Sequence, residues 1–171
     1  MMLALTRLPQ PVIALVDGIA TAAGCQLVAA CDLALATTNA RFATSGIKYG
    51  LFCSTPMVAV ARNVARKAAM EMLLTGEPIS AETAKAIGLV NHVVAAGTER
   101  DAAIALAQKV ALKSAYTIKL GKEAFYRQAE MNLADAYRYA AQVMTENMLA
   151  RDAEEGIGAL IEKREPKWRD E

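Results

Sequence analysis

The feature that most constrains the fold is the run from Pro11 to Asp32, "PVIALVDGIATAAGCQLVAACD". A β-branched apolar stretch ends at Asp17-Gly18, small residues follow, and a segment rich in Ala and Leu begins near Gly24. This pattern predicts a buried strand, a tight turn and a buried helix. Small residues at such a turn indicate that something approaches the backbone closely. The polar residue on the helix's first turn is Gln26, an amide where a catalytic base is expected.

The following segments extend the same alternation. "LALATTNARFAT" from Leu33 to Thr44 predicts two short strands around Thr38-Asn39. Strand, helix and strand in succession favour an α/β fold with a mostly parallel sheet. We expect "MVAVARNVARKAAMEMLLTG" to form one helix that ends at Gly76, Ser80 to cap the helix "AETAKAIG", and "LVNHVV" to return to strand.

The C-terminal part is predicted to be helical from Glu99 to Arg164. Asp152 followed by Glu155 resembles a capping box for the last helix, with Asp in place of Ser or Thr. We therefore predict an α/β domain over residues 1–98 and a helical region over residues 99–171.

Composition excludes several classes of function. The 171 residues carry a formal net charge of +1, so no overall field favours a nucleic acid or an anionic membrane surface. The long apolar region is interrupted by Asp17, Gln26 and Asp32, which predicts a buried core and no membrane span. One histidine and three cysteines offer no zinc spacing, so no metal is expected. Reduced thiols and the absence of a signal-peptide layout at the start predict a cytoplasmic location.

The turn before the helix also suggests a chemistry. The N–H groups of Ala22, Ala23 and Gly24 lie where the helix begins, and such groups lack intrahelical partners and carry the positive end of the helix dipole. A turn of this kind binds an anion or a developing oxyanion when small side chains leave the amides accessible. The alternative is that these small residues serve packing alone.

Several segments together resemble one family. The run from Pro11 to Phe42, then "GLFCSTP", "AMEMLLTGEPISAETAKAIGLVNHVV" and "GIGALIEKREPKW", are similar in order and spacing to the crotonase, or enoyl-CoA hydratase/isomerase, superfamily, and in particular to its enoyl-CoA hydratase domain-containing proteins. The resemblance implies a crotonase (ClpP-like) spiral of ββα units followed by C-terminal helices that assemble as a homo-trimer or hexamer. It also implies an acyl-CoA thioester as ligand and no cofactor besides the CoA of the substrate.

The resemblance assigns an oxyanion donor to the turn. In the family two backbone N–H groups hold the thioester carbonyl, and one of them maps onto Ala23, beside Ala22. The other belongs to an earlier segment that is absent from the chain as given, so we expect this chain alone to be a poor catalyst. The chain enters a buried strand after only a few residues, and we expect that either another chain covers this strand or an N-terminal part is lacking.

The family's hydration chemistry depends on two glutamates, whose positions map onto Gln26 and Gly46. Paired carboxylates act as base and acid, whereas an amide and a glycine do neither. Ordinary hydration is therefore not expected. A different enolate reaction, a CoA-thioester-binding pseudoenzyme, and a thioester hydrolase or decarboxylase of the same fold remain alternatives.

Further residues are candidates for the site. The loop Gly50–Pro56 maps over the acyl group and offers Phe52, Cys53 and Ser54, with Lys48 and Tyr49 just before it. A Ser or Cys nucleophile needs a base, and the one histidine, His92, is predicted on a strand, so capping and packing are the alternative roles. Asp17 and Asp32 are interpreted as turn-forming residues, and Cys25 and Cys31 as buried apolar ones. Trp168 and Arg169 either reach the adenine or 3′-phosphate of a neighbour's CoA or form a solvated helix end.

Overall fold

The computed structural model describes residues 1–170. Two compact units are present, one formed by residues 1–5 and 12–107 and the other by residues 6–11 and those from 108 onward. Each is described by itself. The predicted boundary between residues 98 and 99 stays a prediction.

The first unit is an α/β structure. Its strands are β1 Ile13–Val16, β2 Ile19–Thr21, β3 Leu33–Thr37, β4 Arg41–Ala43, β5 Ile79–Ser80 and β6 His92–Val94. Its helices include α2 Ala23–Ala30, α3 Ser54–Asn63, α4 Arg66–Thr75 and α5 Ala81–Ala86, with a 3₁₀ helix at Ser45–Tyr49. Helix α1 Met2–Arg7 and helix α6 Glu99–Ala111 each begin in this unit and end in the second.

The strands form two three-stranded sheets, and strands of the two sheets alternate along the chain from β1 to β4. One has the order β1-β3-β6 and is parallel, with Leu15 opposite Leu35 and Leu35 opposite His92. The other has the order β2-β4-β5, in which β2 and β4 are parallel and β5 is antiparallel. Since β1 pairs with β3 and β2 with β4, the successive units β1-β2-α2 and β3-β4-α3 stack on each other. This repetition is the predicted spiral of ββα units, and the α/β fold class is confirmed.

The core of the first unit is built from small and medium side chains. Phe42, Leu35, Leu73 and Val60 are its largest fully buried apolar residues. The prevalence of alanine, including Ala34, Ala36 and Ala40, allows helices and strands to approach closely. Gly76 ends helix α4 in the left-handed conformation, and the Ser80 side chain caps α5 by accepting from the Thr83 N–H, as predicted.

One predicted helix is in fact two. The chain is extended at Val64 and Ala65, between α3 and α4. Val64 is buried there, and the Asn63 side-chain amide donates to the carbonyls of Ala29 and Ala59, each at 2.8 Å. Neither proline nor glycine marks this break, so tertiary packing overrides the helical periodicity of the sequence.

The second unit is helical, as expected. It contains α7 Ala115–Gln128, α8 Leu133–Met148 and α9 Arg151–Glu162. Ser114 caps α7 and Asn132 caps α8, each through its side chain. Thr117 donates to Asn147 at 3.3 Å, which links α7 to α8.

The predicted capping box at Asp152 is wrong. Helix α9 begins at Arg151 after Ala150, which makes no side-chain cap. The buried Asp152 carboxylate instead accepts the backbone N–H groups of Arg169 at 2.7 Å and Asp170 at 3.0 Å. Glu155 binds the Arg164 guanidinium and the Lys167 N–H. Both acids therefore hold the chain that follows α9, because their partners lie beyond the end of that helix.

No helix among residues 1–170 is long and apolar enough to cross a membrane.

Candidate active site

The candidate site is built on the start of helix α2. The Ala22 N–H donates to the Ala43 carbonyl at 3.0 Å, which fixes the turn against strand β4, and the Ala22 carbonyl accepts from the Gln26 N–H. The N–H groups of Ala23, Gly24 and Cys25 precede the first intrahelical bond and so have no partner within the helix, and Ala22 provides no side-chain cap for them. Ala23 is exposed. An accessible pair of N–H groups at the positive end of a helix can stabilise an oxyanion.

The backbone at this turn is strained. Ala22 has φ 47° and ψ −112°, a conformation that glycine adopts readily and alanine rarely. Such strain is worth of order 1–3 kcal/mol and persists where the surrounding structure imposes it. Here the bond to Ala43 and the start of α2 impose it, so the direction of the first N–H groups is fixed before any ligand arrives.

Gln26 lies one residue beyond the last unpartnered N–H of the helix and is half-buried. Its backbone N–H already bonds to Ala22. Its side-chain amide can donate and accept hydrogen bonds but cannot transfer a proton at neutral pH. It is able to orient a water or a carbonyl, and no more.

Gly46 is enclosed by the loop that follows it. Its N–H donates to the Cys53 sulfur at 3.2 Å, and its carbonyl accepts from the Leu51 N–H at 3.0 Å. A Cβ added at Gly46 would lie 2.5 Å from the Leu51 carbonyl oxygen and 2.8 Å from the Cys53 sulfur. The position that maps to the family's second glutamate is therefore occupied by loop backbone, and no side chain fits there without moving the loop.

Two cysteines lie within this region. Burial, with a smaller contribution from Cys53, raises the pKa of the Cys25 thiol to about 12. Cys25 is completely buried and stays protonated at neutral pH, which confirms its predicted role as a small apolar residue. Cys53 is also buried, whereas Cys31 is only half-buried.

The loop residues proposed as nucleophiles have backbone partners. Ser54 donates its hydroxyl to the Phe52 carbonyl at 3.3 Å, and Cys53 accepts from Gly46. Within residues 1–170 neither side chain bonds to a histidine or a carboxylate, and His92 is an exposed residue of β6. Phe52 is partly exposed on the same loop. The arrangement lacks the base that nucleophilic catalysis needs.

The charged residues near these elements have other partners. Lys48 forms an ion pair with Glu77 at 2.8 Å, and Tyr49 is exposed. Asp17 accepts from the Thr37 hydroxyl at 2.7 Å, and Asp32 accepts from the Val12 N–H at 2.7 Å. The Asp17 bond joins the ends of β1 and β3, and the Asp32 bond joins the residues just before these two strands. Both agree with the interpretation of the two acids as turn-forming residues.

Trp168 and Arg169 lie in the second unit. The Trp168 indole N–H donates to the Leu112 carbonyl at 2.8 Å, and its ring lies so close to Gly156 that an added Cβ would meet it at 3.2 Å. The Arg169 backbone N–H bonds to Asp152. Arg169 is an exposed residue. Both residues are thus held in place by α9 and the end of α6, and their contact with CoA stays a prediction.

Three features of the site were missed from the sequence. They are the strained turn at Ala22, the closure around Gly46, and a hydrogen bond of 2.8 Å between the hydroxyls of Thr21 and Ser45 that joins β2 to the 3₁₀ helix. Alanine gives no signal for positive φ, and no local pattern reveals a contact over 24 residues. The closure depends on the contact between Gly46 and Cys53, which are seven residues apart, and only the folded loop shows that they meet.

Comparison with known proteins decides the family. The model of the family described as enoyl-CoA hydratase/isomerase matches residues 1–171. The chain belongs to this family. It is 52% identical to the enoyl-CoA hydratase domain-containing protein 3, mitochondrial, of Xenopus laevis and 50% identical to that of Homo sapiens, over 94% of its length. It covers 55% and 53% of those proteins, about half the length of the curated relatives it matches.

Solved structures agree with this assignment. The enoyl-CoA hydratase from Mycobacterium smegmatis superposes with a TM-score of 0.95 at 57% identity, over 98% of this chain and 65% of that one. Human enoyl-CoA hydratase domain-containing protein 3 gives a TM-score of 0.93 at 49% identity, over 98% and 66%. The crotonase fold and the resemblance to this branch of the family are confirmed. The vertebrate relatives are named mitochondrial, and the cytoplasmic location of this chain stays a prediction.

Proposed function

We propose that this chain binds an acyl- or enoyl-CoA thioester and stabilises the enolate form of its acyl group through the Ala23 N–H. The observation that carries the proposal is the exposed, uncapped start of helix α2, fixed by the bond from Ala22 to Ala43. Membership of the enoyl-CoA hydratase/isomerase family supports a CoA thioester as ligand.

The mechanism follows from charge. Removing a proton beside a thioester carbonyl, or adding a nucleophile to a conjugated enoyl group, places negative charge on the carbonyl oxygen. An N–H group at the positive end of a helix stabilises that charge more than it stabilises the neutral carbonyl, so it lowers the barrier. Ala22 and Ala23 bring no bulk to the turn, and the thioester oxygen can therefore approach the amide.

The acid/base residues limit the reaction. Gln26 cannot exchange protons, and the loop that packs on Gly46 leaves no room for a second carboxylate. Ordinary hydration by two glutamates is therefore excluded from the proposal. A lyase or isomerase reaction with an atypical acid/base group remains, and we propose that its substrate contacts Ala22, Phe52, Cys53 and Ser54.

A second function is a CoA-thioester-binding protein without turnover. The closure at Gly46 favours it, because a pocket that holds an amide and a packed loop in place of two acids retains binding surfaces and lacks proton transfer. A thioester hydrolase or decarboxylase is supported less, since Cys53 and Ser54 bond to backbone groups.

Assembly is proposed on related grounds. Large apolar side chains are exposed on α8 and α9, among them Tyr137, Met144, Leu160 and Ile161. Large apolar side chains left exposed are often found at subunit interfaces, and together with the family resemblance they lead us to propose a homo-trimer or hexamer. Trp168 and Arg169 are proposed to reach the adenine or 3′-phosphate end of a neighbour's CoA, on the family resemblance.

Two measurements test the proposal. Acetyl-CoA and its thioether analogue S-ethyl-CoA differ by the carbonyl oxygen, so an oxyanion donor should make the thioester bind about 2- to 10-fold more tightly in calorimetry. Equal affinities would remove the role of Ala23, and no binding of either would refute the function. Loss of the enoyl absorbance of crotonyl-CoA would show turnover and would rule out a binding protein without activity.

A further inference from the structure

A groove in the second unit has the size of a small-molecule site. Its volume is about 600 Å³, and it lies between the segment 6–9 and one face of helix α7. Binding sites for metabolites typically have volumes of about 300–1,000 Å³. Lys122 donates its ammonium to the Gln10 carbonyl at 2.9 Å, which ties the two walls of the groove together.

The charges that line the groove are mostly positive. The groove is lined by three cations, Arg7, Lys119 and Arg127, and by one carboxylate, Glu123. None of these three cations belongs to an ion pair formed among residues 1–170. The Arg127 guanidinium lies over the Tyr139 ring, 4.8 Å from its centroid, a contact that positions the cation without neutralising it. The lining therefore has an uncompensated positive charge.

The spacing of the charges indicates the shape of the ligand. Lys119 and Arg127 are eight residues apart on α7, about 12 Å along the helix, with Glu123 halfway between them. Cations attract anionic groups, while a carboxylate between them repels anions and accepts hydrogen bonds from hydroxyls. Tyr126, Leu8 and Pro9 add an aromatic ring and apolar surface. Phosphates, sugar hydroxyls and a flat base satisfy these three kinds of surface together.

We infer that this groove binds a nucleoside phosphate, with phosphate on Arg7 and Lys119, ribose hydroxyls on Glu123 and the base against Tyr126. A solvated helix face is the alternative, but such a face usually pairs its opposite charges at i, i+4, and Glu123 pairs with neither neighbour. The nucleotide is either free or the nucleotide end of a larger ligand such as CoA.

The test is a calorimetric titration of the full chain with ADP. We expect saturable binding that weakens about tenfold in Lys119→Ala and in Arg7→Ala, because each removes a charge-assisted contact to phosphate. Lys113→Ala removes an exposed lysine of the same unit outside the groove and should leave ADP affinity unchanged. Absence of saturable ADP binding, or equal effects of Lys119→Ala and Lys113→Ala, would overturn the inference.

Two further probes examine the roles within the groove. Glu123→Gln should strengthen binding of pyrophosphate, which gains from losing a repulsive charge, and weaken binding of ADP, which loses a hydroxyl acceptor. An equal gain for both probes would overturn the ribose contact at Glu123. CoA separates the sources: if Lys119→Ala weakens CoA as well as ADP, the nucleotide end of CoA occupies the groove. If it weakens ADP alone, the groove binds a free nucleotide.

Discussion

Replacing Gly46 with alanine perturbs the loop that closes the candidate site. The added Cβ would lie 2.5 Å from the Leu51 carbonyl oxygen, against the 3.4 Å at which ordinary contact begins, and 2.8 Å from the Cys53 sulfur. The first of these neighbours is backbone and cannot rotate away. The loop must therefore move, which stretches the bonds that Gly46 makes with Leu51 and Cys53.

The magnitude follows from two contributions. Overpacking a well-packed site by one methyl group typically costs about 1–3 kcal/mol, and weakening a hydrogen bond costs up to about 1 kcal/mol. We expect Gly46→Ala to lower the free energy of unfolding by about 1–3 kcal/mol. For a chain of this size each kcal/mol lowers Tm by about 2–4 °C.

Thermal unfolding followed by circular dichroism measures this effect, with Gly121→Ala as the control. Gly121 lies in α7, is exposed, and an added Cβ there meets nothing within 4 Å. Helix propensity predicts that the control is stabilised by about 0.5–1 kcal/mol. A Gly46→Ala protein as stable as the unmodified chain would show that the loop is free to move, and the argument against a second carboxylate at this position would fail.

Three further predictions concern single residues. Ala22→Gly should raise stability by up to about 1 kcal/mol, since glycine relieves the strained φ at the turn; a urea unfolding midpoint measures it. Asp152→Asn should lower stability by about 1–2 kcal/mol at pH 7, because one of the two N–H groups of residues 169 and 170 loses its carboxylate oxygen. Gln26→Glu should leave the fold intact and still fail to hydrate crotonyl-CoA, because the second carboxylate is missing.

The Asp152 prediction has a pH dependence. Burial raises the pKa of this carboxyl, but hydrogen bonds from the Arg169 N–H, the Ser114 side chain and the Asp170 N–H outweigh it, so the pKa lies below its ordinary value. Because the pKa is lower in the folded state, the ionised carboxyl stabilises the protein at pH values above its unfolded-state pKa of about 3.9. This stabilisation is lost as the pH falls through the folded-state pKa. The stability difference between the unmodified chain and Asp152→Asn should thus shrink below about pH 4. A difference that is constant between pH 7 and pH 3 would refute this account.

Contrary outcomes for the other two variants are equally clear. A lower unfolding midpoint for Ala22→Gly would mean that the turn is not strained. Hydration by Gln26→Glu alone would mean that one carboxylate is sufficient. The double variant Gln26→Glu, Gly46→Glu is a poor restoration test, since its second change collides with Leu51 and Cys53.

Local patterns predicted much of the fold. The apolar run before Asp17-Gly18 gave strand β1, the Ala-rich segment gave α2, and Gly76 and Ser80 marked helix ends correctly. The break at Val64 could not be predicted, because it arises from burial of Val64 and from the Asn63 bond to Ala29. Period and capping signals report neighbours along the chain, and this contact spans 34 residues.

Some features of the candidate site could likewise be predicted from the sequence, and others could not. The unpartnered N–H groups of Ala23 and Gly24 follow from small residues at a strand-to-helix turn, which the sequence displays. The assignment of the family's two glutamate positions to Gln26 and Gly46 came from the family resemblance and stays a prediction. What folding added is that loop backbone and Cys53 occupy the space beside Gly46, because the packing of a loop depends on residues whose spacing carries no local signal. At Asp152 the sequence predicted a local capping contact that the structure does not contain. Its carboxylate instead binds the N–H groups of Arg169 and Asp170, which follow it by 17 and 18 positions.

The central claim is that the start of α2 polarises a thioester carbonyl. Isotope-edited infrared spectroscopy of acetyl-CoA labelled with ¹³C at the carbonyl measures this directly, because hydrogen bonding to the oxygen weakens the C=O bond. The account predicts that the carbonyl stretching frequency falls when the thioester binds to the chain. An unchanged frequency for the bound ligand would contradict the account, since it would show that the start of α2 polarises the thioester oxygen no more than water does.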